Sequence, residues 1–286
     1  MPLPKLILAP LRGVTIRAFR ETYAPELVAA GFEEALTPFI PAMRGVDPLK
    51  DRELKGTLSS TLRLTPQFIG KDPVAFRETL QRVRAAGFTT ADLNCGCPFP
   101  MVRNKGRGSG LLRTPETLLK MLAAGCEIMG PGNFSIKTRL GVERPDELLQ
   151  LLPLLNAFPL RFMTVHARTA RQMYDGKCDL VMLKRIMAAA EMPVVPNGDL
   201  ELPCPTDATS PVMIGRSFIR QLGTGPESTE RLRRYLDYSR RELAGDRPVL
   251  GRLKELVAYW KELPNWHRRW NLIKLCRTIA ELEAVI

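Results

Sequence analysis

The chain has 286 residues, of which 45% are hydrophobic and 25% are charged, which is the composition of an ordinary globular protein. Lysine and arginine exceed aspartate and glutamate by 42 − 30 = 12, which favours a polyanionic partner such as nucleic acid over a basic surface with no partner. The longest apolar stretch is broken by Gln150 and Asn156, so we expect no membrane span. No targeting signal is apparent, so we expect a cytoplasmic chain. We also expect a monomer.

Eight short apolar or β-branched runs, separated mostly by longer segments of helical pattern, occupy residues 5–217. The runs are 5–10, 34–39, 65–70, 89–96, 134–141, 162–169, 192–199 and 211–217. Strands joined by helical crossovers pair in parallel, and eight such strands close a TIM (β/α)8 barrel. A doubly wound sheet shows the same alternation and is the alternative fold.

The helical segments have recognisable ends. Segment 72–87 begins with Asp72 and Pro73 and ends at a glycine, and segments 114–130, 144–158 and 179–192 follow a similar pattern. The seventh crossover is the exception. Only 11 residues separate Asp199 from Pro211, and two of them are prolines, so we predict a loop in place of its helix. After residue 225 the pattern is helical without strand signals, which predicts a small C-terminal helical domain.

Polar residues recur where these strands end, and barrel active sites are built at the carboxyl ends of strands. Asn197-Gly198 and Gly215-Arg216 follow the seventh and eighth runs, where barrels hold phosphate groups, although each pair could also be a simple turn. Lys137 and Arg139 share one face of their strand, which favours an anionic or electron-rich ligand. His166 fits a ligand contact and a core histidine equally well.

The six cysteines are irregularly spaced apart from Cys95 and Cys97, and none belongs to a C-x-x-C motif. With only two histidines in the chain, this pattern argues against a metal cluster and favours reduced thiols. We interpret Cys95 as a packing residue. Cys97 precedes a proline in the loop after a strand, close to cationic residues, and this setting favours a chemical role for its thiol.

Seven stretches together resemble the tRNA-dihydrouridine synthases, flavin-dependent enzymes that reduce uridine in transfer RNA. They are LAPLRGVTIRAFR, QFIG, DLNCGCPFPMVRNKGRGSGLL, IKTRLGV, VHARTARQMYDG, PVVPNGDL and VMIGRSF, in the family's order from residue 6 to about 220. The C-G-C-P sequence with a basic helical tail is most similar to the bacterial branch that modifies position 16 of the D loop.

The resemblance implies an FMN-binding catalytic barrel over residues 1–225, a tRNA-binding helical domain over 226–286, and NADPH as the reductant. It implies that Cys97 is the catalytic general acid. The FMN contacts that it implies are Pro10, Leu11, Arg12, Gln67, Lys137, His166, Asn197, Gly198, Asp199, Gly215 and Arg216. The positions that it implies near the uridine or the tRNA backbone are Asn94, Lys105, Arg139 and Arg168.

The chain departs from the family pattern at Leu11, Ile16 and Ala167, where Met, Asp and Gly are usual, and in the short 200–210 loop. These departures bear on FMN affinity more than on the chemistry. Two other functions therefore remain open. One is an RNA-binding relative that has lost its flavin, and the other is an FMN barrel that reduces a small molecule and needs neither the basic tail nor the excess of positive charge.

Overall fold

The computed structural model describes residues 5–55, 62–202 and 211–286. Its sheet is built from ten short strands. They are β1 (Leu6–Leu8), β2 (Glu34–Leu36), β3 (Ile40–Pro41), β4 (Arg63–Thr65), β5 (Gln67–Ile69), β6 (Ala91–Cys95), β7 (Phe134–Arg139), β8 (Met163–His166), β9 (Val194–Asn197) and β10 (Val212–Ile214). Each of the eight predicted runs contributes a strand, and the third begins at Arg63, two residues before the predicted start.

The ten strands occupy eight positions of a closed parallel barrel. β1 pairs with both β10 and β2, and parallel pairing continues from β5 through β6, β7, β8 and β9 to β10. β2 pairs with β4 and β3 pairs with β5, and only Pro66 separates β4 from β5. β2 and β3 belong to one segment, residues 34–41, and β4 and β5 belong to another, residues 63–69. Pairing between these two segments therefore closes the sheet, and the predicted TIM barrel is confirmed.

Twelve α-helices lie in the described residues. They are α1 (Arg17–Thr22), α2 (Ala24–Ala29), α3 (Pro73–Ala85), α4 (Pro100–Arg103), α5 (Pro115–Met129), α6 (Glu147–Leu155), α7 (Leu180–Ala189), α8 (Arg216–Leu222), α9 (Ser228–Glu242), α10 (Asp246–Val257), α11 (Pro264–Ile273) and α12 (Ile279–Glu283). No helix among the described residues is long and apolar enough to cross a membrane.

The residues at the start of α3 explain why this helix begins where the sequence predicts. The Asp72 carboxylate accepts hydrogen bonds from the backbone N–H groups of Val74 and Ala75 at 2.9 and 3.4 Å, and Pro73 occupies the first helical position. Between β9 and β10 the described residues 198–202 and 211 contain no helix, as expected for a shortened crossover. Residues 203–210 of that loop lie outside the described part of the chain.

A buried ion pair joins strand segments at the amino-terminal end of the barrel. The Arg161 guanidinium donates two hydrogen bonds of 2.8 Å to the two carboxylate oxygens of Glu34. The Thr65 hydroxyl donates a third hydrogen bond to Glu34 at 2.7 Å. Glu34 is fully buried and Arg161 nearly so, and Arg161 is the nearer of the two guanidinium groups that neutralise Glu34.

The C-terminal helices pack directly on the barrel. The indole N–H of Trp260 donates to the carbonyl of Ile219 at 2.6 Å, and that of Trp266 donates to the carbonyl of Gly223 at 2.9 Å. Both acceptors lie in α8 or at its end, and both indole rings are fully buried. One hydrophobic cluster therefore runs from β1 and α1 into α9–α12 without interruption at residue 225.

Candidate active site

A cavity of about 240 Å³ opens at the carboxyl ends of the barrel strands. All but three of the predicted site residues line it. Those that do are Pro10, Leu11, Arg12, Asn94, Cys97, Lys137, Arg139, His166, Asn197, Gly198, Asp199, Gly215 and Arg216. They are far apart in sequence, and they meet because parallel strands present their carboxyl ends at one face of the barrel.

Gln67, Lys105 and Arg168 do not line the cavity. Gln67 is fully buried, and its amide contacts Asp92 and Asn94. Lys105 is exposed on the turn after α4. Arg168 is buried, donates to the carbonyl of Gly176 at 2.6 Å and forms an ion pair with Asp199, so its contacts place it behind the cavity wall.

Cys97 is held in place by its backbone. Its N–H donates to Asn94 Oδ1 at 2.9 Å, and its carbonyl accepts a hydrogen bond of 2.8 Å from the Ser109 hydroxyl. Gly108 has a φ of +57°, and a Cβ at this position would come within 2.7 Å of the Cys97 Cβ. Only a glycine lets the 108–113 turn approach this closely, so the loop around the thiol is tightly packed.

Burial raises the pKa of the Cys97 thiol, although the Phe99 backbone N–H and then the Arg139 and Arg12 guanidinium groups partly oppose the shift. The side chain is 6% exposed, yet it lines the cavity. At neutral pH the sulfur is therefore protonated. A protonated thiol can donate a proton to a bound molecule, whereas a thiolate would act as a nucleophile.

We expect alkylation of Cys97 by iodoacetamide to accelerate with pH through pH 9 without levelling off, because its pKa lies above the ordinary 9.0 and only the thiolate reacts. The measurement is the alkylation rate of this residue between pH 6.5 and 10, followed by mass spectrometry of its tryptic peptide. A rate that reaches a plateau below pH 8 would show a thiolate at neutral pH and contradict the interpretation.

Lys137 and Asn197 form a polar pair that links β7 to β9. Lys137 Nζ donates to Asn197 Oδ1 at 2.9 Å, and Asn197 Nδ2 donates to the carbonyl of Met213 at 2.9 Å. Burial, and then the positive charge of Arg139, lower the pKa of Lys137 to about 7. The ammonium has only one acceptor among the described residues, so it can take a further acceptor from a ligand in the cavity.

His166 lies next to this pair with Nδ1 buried and without a hydrogen-bond partner among the described residues. Burial and the surrounding cations, first Arg139 and Lys137, hold the pKa of the imidazole far below its usual range. The ring is therefore neutral at physiological pH. An unpartnered buried polar atom on a cavity wall is what a site for a polar ligand would leave unsatisfied.

Tyr174 and Phe39 also line the cavity, and neither residue was predicted from the sequence. The Tyr174 ring lies 5.4 Å from the Arg139 guanidinium and 5.1 Å from that of Arg216, and Phe39 lies 5.7 Å from that of Arg12. A signal existed for both. Phe39 ends the second apolar run, and Tyr174 lies within the stretch VHARTARQMYDG.

The cavity wall carries more positive than negative groups. The cationic side chains are Arg12, Lys137, Arg139, Arg216 and Arg220, and the anionic ones are Asp199 and Glu201. The negative charge of Asp199 is already neutralised by two cations, because Arg216 donates to it at 2.7 Å and Arg168 forms a second ion pair with it. An anionic ligand would therefore find a favourable potential in this cavity.

Comparison with known proteins points to one family. A family model described as "Dihydrouridine synthase (Dus)" matches residues 7–218. The chain is 30% identical to tRNA-dihydrouridine synthase B of Vibrio cholerae over 199 residues, which are 69% of this chain and 61% of that protein. It is 29% identical to tRNA-dihydrouridine synthase B of Pseudomonas aeruginosa, over 70% of this chain and 59% of that one. The chain thus matches about three fifths of these relatives' length.

Solved structures share the fold at low sequence identity. Morphinone reductase superposes with a TM-score of 0.52 at 13% identity, covering 78% of this chain and 88% of its own. The old yellow enzyme homologue from Zymomonas mobilis gives 0.52 at 12% identity, covering 76% and 85%. At this level of identity the likeness supports the barrel architecture and nothing finer.

Proposed function

Because the chain belongs to the dihydrouridine synthase family, we propose that it reduces a uridine of tRNA to 5,6-dihydrouridine, using bound FMN and NADPH as the reductant. The observation that carries this proposal is the protonated thiol of Cys97 in the same cavity as Lys137 and His166. The finer parts of the proposal are that the uridine lies at position 16 of the D loop and that the reaction takes place in the cytoplasm.

The residues of the cavity are suited to a flavin. The unpartnered Nδ1 of His166 and the free donors of Lys137 offer hydrogen bonds to the polar edge of an isoalloxazine ring. Arg216 and the turn at Gly198 follow the last two strands, where barrels commonly hold a phosphate. When bound, FMN supplies a hydride to the carbon–carbon double bond of the uracil ring.

Cys97 would complete the reduction as the general acid. Saturation of the 5,6 double bond requires one hydride and one proton on adjacent carbons, and the thiol proton is transferred to the carbon next to the one that receives the hydride. The sulfur becomes a thiolate and regains its proton from solvent. Arg139, which lines the cavity, stabilises the thiolate, because its guanidinium lowers the pKa of Cys97 against the larger effect of burial.

Replacing Lys137 by methionine should weaken FMN binding about tenfold or more, because the variant loses the hydrogen-bond donor and leaves Asn197 Oδ1 without its partner. The measurement is the dissociation constant from quenching of FMN fluorescence by apoprotein. Lys105→Met is the matched control, since Lys105 is exposed and does not line the cavity. Equal FMN affinity in both variants would remove Lys137 from the flavin site.

For tRNA binding we propose the exposed basic side chains of residues 226–286. Arg268 and Arg277 are exposed on α11 and on the turn before α12, and neither forms an ion pair in the described part of the chain. The Arg268→Glu, Arg277→Glu double variant should lose about tenfold or more in tRNA affinity and show a shallower salt dependence. Unchanged binding would place the tRNA contacts elsewhere.

The matched control for that double variant is Lys184→Glu, Arg185→Glu on α7. It makes the same change in net charge at two exposed positions of a helix that packs against α6. A loss of tRNA affinity restricted to the first variant supports a local contact. Equal losses in both would indicate a general effect of net charge.

The deciding experiment is reconstitution with FMN followed by a turnover assay. We expect a retained flavin spectrum after dialysis and, with NADPH, one dihydrouridine per tRNA, located by mass spectrometry and lost when the uridine at position 16 is replaced. A colourless protein that binds tRNA would favour the RNA-binding alternative. A yellow protein whose NADPH oxidation responds to a small molecule and not to tRNA would favour the small-molecule reductase.

A further inference from the structure

Behind the cavity, three buried side chains connect the barrel interior to Cys97. Asp92 Oδ1 accepts a hydrogen bond from Gln67 Nε2 at 2.7 Å, and Gln67 Oε1 accepts one from Asn94 Nδ2 at 2.7 Å. Asn94 Oδ1 in turn accepts from the backbone N–H groups of Gly96 and Cys97 at 3.2 and 2.9 Å. The Asp92 and Gln67 side chains have no exposed surface, and Asn94 is 7% exposed.

The direction of this chain of hydrogen bonds is fixed at the Cys97 end. A backbone N–H can only donate, so the Asn94 atom that faces Gly96 and Cys97 must be its oxygen. The Asn94 amide therefore turns its NH2 group toward Gln67, and the Gln67 atom that accepts this hydrogen bond is its oxygen. Gln67 is then left with its NH2 group facing position 92, which requires a hydrogen-bond acceptor there.

We propose that Asp92 is a positioning residue that, through Gln67 and Asn94, fixes the loop carrying Cys97 in its reactive conformation. This proposal rests on the proposed role of Cys97 as the general acid. The second carboxylate oxygen of Asp92 is fixed as well, because it accepts a hydrogen bond of 2.7 Å from the Ser135 hydroxyl. We call the series Asp92–Gln67–Asn94 the positioning chain.

Two other roles for Asp92 make different predictions. If the residue only filled space, an isosteric change anywhere in the positioning chain would be tolerated. If it acted through its negative charge, which faces Lys137 and Glu34 in the barrel interior, any neutral replacement would be harmful. The positioning chain instead requires alternating donors and acceptors, whichever residue carries the charge.

Four variants separate these roles. Asp92→Ala removes the acceptor, and Gln67→Met removes both the donor toward Asp92 and the acceptor for Asn94 at nearly the same side-chain volume, so both break the positioning chain. Asp92→Asn keeps an acceptor toward Gln67 and offers its NH2 group to the Ser135 oxygen. In the double variant Gln67→Glu, Asp92→Asn, the amide and the carboxylate exchange places. The amide introduced at position 92 then donates to the carboxylate introduced at position 67, which still accepts from Asn94, and the net charge equals that of the natural chain.

The first measurement is the iodoacetamide reaction of Cys97 in the apoprotein, relative to that of Cys126, a cysteine of similar burial on α5. Loosening of the loop should raise the ratio of the Cys97 rate to the Cys126 rate about fivefold or more in Asp92→Ala and Gln67→Met. The ratio should return toward that of the natural protein in Asp92→Asn and in the double variant. This readout does not depend on flavin or turnover, so it tests the positioning chain even if the proposed reductase function fails.

The second measurement is dihydrouridine formation, where kcat should fall about tenfold or more in the two broken variants with little change in KM for tRNA. Thr164→Val, another buried polar position of the barrel interior, controls for general loosening, because Thr164 Oγ1 has no hydrogen-bond partner to lose among the described residues. Thermal unfolding of each variant identifies any that fail to fold. The proposal is overturned if Asp92→Asn behaves like Asp92→Ala, or if Gln67→Met leaves the Cys97 reactivity unchanged.

Discussion

Replacing Cys97 by alanine should lower the rate of dihydrouridine formation by about 100- to 10,000-fold, the range typical for loss of a general acid. FMN should stay bound, since the proposed flavin contacts of the cavity are provided by other residues. The rate is measured in single-turnover experiments in which flavin is first reduced by NADPH and tRNA is then added. The flavin reduction step by NADPH should be unaffected, which separates loss of the acid from loss of the cofactor.

Cys95 provides the control for this prediction. It is two residues away on β6, fully buried in the hydrophobic core, and does not line the cavity. Cys95→Ala should therefore reduce stability slightly while leaving the single-turnover rate near that of the natural protein. A Cys97→Ala enzyme with full activity would remove the thiol from the mechanism, and water in the cavity would be the alternative proton source.

The largest loss of stability is expected at the opposite end of the barrel. Arg161→Ala should lower the free energy of unfolding by about 3–5 kcal/mol, because it leaves the fully buried Glu34 carboxylate without its bidentate partner. The Arg63 guanidinium, 3.6 Å from Glu34 and partly exposed, cannot replace two hydrogen bonds of 2.8 Å. The measurement is urea unfolding monitored by circular dichroism.

An exposed ion pair provides the comparison for Arg161→Ala. Arg77 and Glu127 form two hydrogen bonds of 2.6 Å on the surface, so their geometry is as good as that of the buried pair. Arg77→Ala should nevertheless leave the unfolding midpoint almost unchanged, because water solvates Glu127 when its partner is lost. If the two variants had equal effects, burial would not be the reason for the importance of Arg161.

The sequence was sufficient to predict the barrel, because each strand is a short apolar run bounded by turn residues. It also predicted most of the cavity wall, since residues such as Lys137 and Asn197 follow from the position of strand ends. It did not show that Gln67 is fully buried and does not line the cavity. Strand alternation points Gln67 into the barrel, but whether it reaches the cavity depends on how far the strand is staggered against its neighbours, and a single sequence does not contain that information.

The division of the chain was the least predictable feature. The change of pattern near residue 225 indicated where the helices begin, but apolar residues on α9 and α10 look the same whether they cover one another or the barrel. The structure shows that Trp260 and Trp266 lie against the end of α8. The assignment of 1–225 and 226–286 as separate functional units is therefore a proposal about roles and not about separate cores.

This packing has a consequence for how substrate preference could be changed. A chimera that exchanges helices α9–α12 for those of a relative would also exchange part of the hydrophobic core around Phe19 and Tyr235, whose rings meet edge to face 6.5 Å apart. Such exchanges should fail in solubility before they reveal any altered choice of uridine. Substitutions confined to exposed positions of α11 leave that core intact, and they are the route by which the preference for a tRNA could change without loss of the barrel.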